Sequence, residues 1–109
     1  MAAQGFSIGE GQGHFINGVA PVDIDAGAQT SDAFKMTNYS HATIIISLGV
    51  TGAASTVTVK ENTDASGSGA TAIAFSYYAE ETAAGDTTGS RTSATASGFA
   101  TSTNDGLFY

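Results

Sequence analysis

Residues 38–50 place large apolar, mostly β-branched side chains on both faces of an extended chain, and no other feature constrains the fold as strongly. Ala42, Ile44, Ile46, Leu48 and Val50 alternate onto one face, while Thr43, Ile45 and Ser47 take the other. A β-branched run of period two reads as a strand. Ile45 makes its second face partly apolar, which predicts a central strand covered on both sides. Two further runs follow the same rule. In Thr56-Val57-Thr58-Val59-Lys60 the valines point inward, and in residues 72–78 Ile73, Phe75 and Tyr77 alternate against Ala74, Ser76 and Tyr78. Loops of Gly, Ser, Thr and Ala separate these runs, and apolar residues nowhere recur at helical spacing for more than one turn. The expected fold is all-β: a single antiparallel β-sandwich or small barrel.

Around these runs the pattern is weaker. Residues 1–20 form a glycine-punctuated segment carrying Phe6, Ile8, Phe15 and Ile16, which predicts an extended N-terminal arm lying on another surface. Residues 21–109 are then the β domain. Within it, Val22-Asp23-Ile24-Asp25 predicts a short strand, and residues 31–37 another with Phe34 and Met36 on one face. Residues 91–103, mostly Thr, Ser and Ala with Phe99 as the one large apolar side chain, predict one or two weak strands. Asn104-Asp105-Gly106 is a good hairpin turn, with only Leu107, Phe108 and Tyr109 left for the return strand. A partner would complete that pairing, or the natural chain continues beyond Tyr109, and the second is the expectation.

At 109 residues there is room for one domain, and much of its apolar content is alanine, which buries little area. Thin cores of this kind are often completed by assembly. Ten acidic residues against three basic ones give a net charge of −7. That balance argues against nucleic acid, whose phosphates need clustered Lys and Arg, and against an anionic membrane surface. Self-repulsion that keeps the chain soluble is the plain reading of the acidity, and docking onto a basic surface the second. No cysteine is present, so disulfides and thiolate chemistry are excluded. Residues 1–6 carry no secretory pattern, and no apolar stretch approaches a membrane span.

Candidate chemical sites are few. Asp23-Ile24-Asp25-Ala26-Gly27 has the alternating acids of a calcium loop but lacks its later oxygen ligands, so two solvated acids at a strand edge are the better reading and no metal is expected. His14 and His41 stand far apart in the sequence, and an ordinary hydrogen-bonded or solvated state is the default for both. Ser66-Gly67-Ser68-Gly69 lies in a loop between strands, without the strand-to-helix turn of a nucleophile elbow. The glycines of residues 9–13 and 67–69 are followed by no Lys-Ser or Lys-Thr pair that would help cradle phosphate. Glu80 and Glu81 are strand neighbours that face opposite ways. Tyr77 and Tyr78, with Tyr39, could make an aromatic platform for sugar, but one of the adjacent pair must face the core, and a subunit contact is the simpler use. Neither a catalytic centre nor a cofactor site is expected.

Four stretches together resemble small virion proteins of tailed bacteriophages: Lys35-Met36-Thr37-Asn38-Tyr39-Ser40-His41, Thr56-Val57-Thr58-Val59-Lys60, Asp64-Ala65-Ser66-Gly67-Ser68-Gly69-Ala70 and Ala74-Phe75-Ser76-Tyr77-Tyr78. The resemblance spans residues 34–109, about two thirds of the chain, and leaves the first 33 residues outside. In such proteins the chain commonly runs on past the position of Tyr109. The resemblance implies a capsid decoration (cement) protein, made in the host cytoplasm and carried on the capsid exterior, with the major capsid protein as partner. It also implies self-association, with a trimer favoured, and it carries over no catalytic residue. Arm residues Phe6, Ile8, Phe15 and Ile16 are the expected contacts, followed by Tyr39, His41 and Tyr78. A head–tail connector, tail or head-fibre component is the nearest alternative, and a secreted carbohydrate-binding or adhesin module is the alternative from another class.

Overall fold

The computed structural model describes residues 13–64, 66, 68–81 and 89–109. Among them are nine short strands and a single turn of 3-10 helix, Ile24–Ala26, so the fold is all-β and every strand pairing is antiparallel. The strands are β1 (Ile46–Leu48), β2 (Thr56–Val57), β3 (Val59–Glu61), β4 (Thr71–Ile73), β5 (Phe75–Tyr77), β6 (Ala79–Glu81), β7 (Thr92–Ala94), β8 (Phe99–Ala100) and β9 (Gly106–Phe108).

Only Thr58 separates β2 from β3, and only Ala74 and Tyr78 separate β4, β5 and β6. Each continuous run changes partner at those residues. Residues 56–61 pair first with β8 and then with β4; residues 71–81 pair with β3, then β7, then β9. The hairpin of β7 and β8 stands between the two runs, with Val57 opposite Phe99 on one flank and Phe75 opposite Ala94 on the other. Its tip is closed by a Thr95–Gly98 bridge and a 2.9 Å hydrogen bond from the Gly98 N–H to the Thr95 carbonyl. Beyond the tip the flanking runs pair with each other, Val59 opposite Ile73.

A three-stranded sheet, in the order β1-β9-β6, continues from the end of the long run. Asn104-Asp105-Gly106 does not turn the expected hairpin: Gly106 opens β9, whose partners on both sides come from elsewhere in the chain, with Phe108 opposite Ile46 and opposite Ala79. Phe108 is the most buried residue, at 2% exposure, and joins Ala94 and Phe99 at the centre. Ile46, Leu48, Val57, Phe75, Tyr77 and Ala79 pack around them. Phe99 is the hub: Tyr77 stacks on it at 3.8 Å, and Phe108 and Phe75 tilt against it at 5.4 and 6.0 Å. Each such aromatic pair adds about 0.5–1.5 kcal/mol beyond its area burial. The predicted inward faces are found, with Val57, Val59, Ile73, Phe75 and Tyr77 all partly buried and Thr56, Thr58, Lys60, Ala74 and Ser76 exposed.

Three further expectations change. The run 38–50 is strand only at Ile46–Leu48, and there it is the edge of its sheet, paired with β9 alone. Ile45, expected on a covered second face, is 64% exposed. Residues 22–25 do not form a strand. The Asp23 carboxylate accepts from the Asp25 N–H at 3.0 Å and caps the 3-10 turn, the competition with extended backbone that short acids offer. Residues 31–37 also lack strand structure; a turn closes there through Tyr39 N–H to the Met36 carbonyl at 2.9 Å, with Asn38 at φ 71°.

Candidate interaction surface

Large apolar side chains on the described part of the chain are divided unevenly. The centre draws almost entirely on residues after 45, whereas Phe15, Ile16, Val19, Val22, Phe34, Met36, Tyr39, Ile44, Ile45 and Val50 are all exposed, Phe15 at 68% and Val50 at 80%. Scattered single apolar residues on a surface are ordinary, so it is their concentration in one third of the chain that makes these residues the candidate surface.

Among the described residues, few contacts fix this third against the sheets. Asp32 donates its N–H to the Gly18 carbonyl at 3.2 Å, which ties the segment bearing Phe15 and Ile16 to the stretch before Phe34. The Asp25 carboxylate accepts from the Gly52 N–H through both oxygens, at 3.2 and 3.0 Å, and so anchors the 3-10 turn to the loop after β1. That bond makes Asp25 a structural clamp rather than a free acid. Between the turn and β1 lies a shallow cleft of about 170 Å³ whose apolar walls are Val22, Ile24, Leu48 and Val50.

The expected contact residues fall into separate settings. Phe6 and Ile8 lie outside the described residues. Phe15 and Ile16 are exposed, as is Tyr39 beside the Asn38 turn. His41 is exposed, with its ring Nε2 3.3 Å from the Thr43 hydroxyl. Tyr78 is half-buried, immediately before β6 and beside the end of β9. It exchanges backbone hydrogen bonds with Tyr109 at 2.8 and 3.2 Å, and the two rings stack at 5.4 Å. Its neighbour Tyr77 points into the core on Phe99, so the adjacent tyrosines do divide between inside and outside. Ile44, Ile45 and Val50 join the surface although the strand pattern assigns them to a core. The signal that marks them is charge: no Asp, Glu, Lys or Arg occurs between Lys35 and Lys60.

Elsewhere, the loop after β3 is organised by its own polar side chains. The Asp64 carboxylate accepts from the Ser66 hydroxyl at 2.5 Å and from the Ser66 N–H at 2.8 Å, which holds it below the ordinary aspartate value of 3.8. The Asn62 side-chain amide donates to the Ser68 carbonyl at 2.9 Å. Among the described residues, no three His, Cys, Asp or Glu side chains gather where they could hold a metal ion. No family model, curated protein or solved structure matches this chain.

Proposed function

We propose that this chain is a non-enzymatic virion structural protein that decorates and stabilises a tailed-phage capsid, the exposed apolar side chains between Phe15 and Met36 lying against the shell. The observation that carries this reading is the division of the chain. The residues after 45 supply a small core built on Ala94, Phe99 and Phe108, while the residues before it present Phe15, Ile16, Val22, Phe34 and Met36 to solvent. An extended apolar segment can add to a neighbour's sheet or fill its grooves. Many copies on a lattice turn weak single contacts into firm attachment. The phage assignment within this reading comes from the sequence resemblance of residues 34–109.

Copy number in purified virions, measured by quantitative mass spectrometry against the major capsid protein, tests it. A ratio near one per capsid subunit supports a shell-covering protein. A few or a dozen copies per particle move it to the connector or tail, and absence from particles overturns the virion reading and favours binding on a glycan panel. If the ratio is near one, Phe15→Ser with Ile16→Ser should release the protein from capsids without lowering its thermal stability, because both side chains are already exposed.

A further inference from the structure

We propose that β1 is a homodimerisation edge, at which two copies of this chain pair antiparallel about a two-fold axis and join their three-stranded sheets into one. The inference goes beyond the virion reading and does not depend on it. Three observations lead to it.

First, the run 42–50 has the pattern of a central strand, apolar on one face and through Ile45 partly apolar on the other, yet within one copy only Ile46–Leu48 is strand, paired only with β9. Ile44 and Ile45, which extend the same pattern, are exposed. A second strand on the open edge would give this run the neighbour its pattern calls for and lengthen it at its N-terminal end.

Second, the segment is complementary to itself. With Ile46 opposite Ile46 of the second copy, Ile44 falls opposite Leu48 and Ile45 opposite Ser47. β-Branched and aliphatic residues then meet directly on the inner face, the kind of cross-strand pair that stabilises a sheet.

Third, charge selects this edge. The chain carries a net charge of −7, so most ways of bringing two copies together oppose like charges, but residues 36–59 contain no Asp, Glu, Lys or Arg. An edge strand meant to stay single is normally blunted by Lys, Pro, a bulge or an inward charge, and residues 42–50 contain no Lys, Pro or acid.

Sedimentation equilibrium on the intact chain is the test, with three charge variants. The wild type should run at twice the 10.9 kDa chain mass. Ile45→Lys with Ser47→Lys places lysine opposite lysine across the pair, and Ile45→Glu with Ser47→Glu places glutamate opposite glutamate. Each should weaken self-association by about tenfold or more, since like charges directly opposite are destabilising. Ile45→Lys alone, the third variant, leaves each lysine opposite Ser47 and should weaken the dimer less than either double change. Ile45 and Ser47 are both exposed, so the fold should survive, as far-UV circular dichroism would verify. Mixing the two double variants should restore a dimer of one lysine chain and one glutamate chain; a contact elsewhere on the molecule would not restore it. A monomeric or trimeric wild type, undiminished association in the double variants, or failure of the mixture to pair would each overturn the proposal. Should the variants not fold, hydrogen exchange on the wild type decides: amides 44–48 must gain protection as concentration rises, and concentration-independent exchange there refutes the pairing.

Discussion

Replacing Gly98 with alanine should destabilise the domain far more than the same change at another glycine of like conformation. Gly98 sits at the tip of the β7–β8 hairpin with φ +81°, a left-handed conformation that costs a non-glycine residue about 1–2 kcal/mol. A methyl group there would also lie 2.0 Å from the Val57 carbonyl oxygen and 2.9 Å from both the Val57 carbonyl carbon and the Thr58 methyl. The first of these neighbours is backbone, so no rotamer change clears the way. The hairpin tip would have to back out from the point where β2 gives way to β3, loosening Val57 from Phe99. Overpacking of that kind costs about 1–3 kcal/mol, so the total is roughly 2–5 kcal/mol. Gly69 is the matched control: its φ is +77°, but nothing lies within 4 Å of an added Cβ. Gly69→Ala should therefore cost only the conformational part, about 1–2 kcal/mol. The entropy that alanine removes from the unfolded chain is the same at both positions and cancels in the comparison. Urea unfolding followed by tyrosine fluorescence suits a chain with four tyrosines and no tryptophan. The midpoint should fall with little change in slope, since the surface exposed on unfolding is unaltered. If the two alanine variants unfold within about 0.5 kcal/mol of each other, smaller than the about 1–3 kcal/mol of overpacking expected, the hairpin tip does not constrain the fold as argued.

Other outcomes follow from single contacts. Thr101 is 4% exposed; its hydroxyl oxygen accepts from the Ser55 N–H at 3.0 Å, and its own N–H donates to the Ser55 carbonyl at 2.8 Å. Thr101→Val keeps the shape and removes the acceptor, so it should cost about 1–3 kcal/mol in the same urea assay, and a neutral result would mean that water replaces the hydroxyl. The Asp64 loop should respond to acid. Hydrogen bonds from Ser66 favour the charged carboxylate, so their contribution is complete above the ordinary value of 3.8 and is lost as pH falls through the lower folded value. Carbon-detected NMR should show Asp64 titrating below 3.8, and Ser66→Ala should move the midpoint upward; a midpoint at or above 3.8 in the wild type contradicts the geometry.

Residue order alone settles which faces turn inward once a segment is a strand. Val57 and Val59, and then Ile73, Phe75 and Tyr77, lie inside because successive side chains on an extended chain must alternate. The all-β class was legible in the same way, along with the apolar, unhelical character of the residues around Phe15 and Ile16. Which strands became central was not legible, because a strand's burial depends on its neighbours rather than on its own hydrophobicity. Residues 38–50, the strongest local pattern, end as an edge with Ile45 in solvent. The weak Thr-Ser-Ala stretch instead supplies Ala94, Phe99 and Thr101 to the interior, where small side chains let the hairpin fit between its flanking runs. Phe108 likewise becomes the most buried residue because β1 and β6 close on β9 from both sides, a pairing between segments far apart in sequence. Local chemistry overrode the strand pattern at Asp23, whose carboxylate caps a turn instead. Period and propensity act within a few residues of one another; pairing across the chain is long-range, and here it set both the core and which apolar side chains stay exposed.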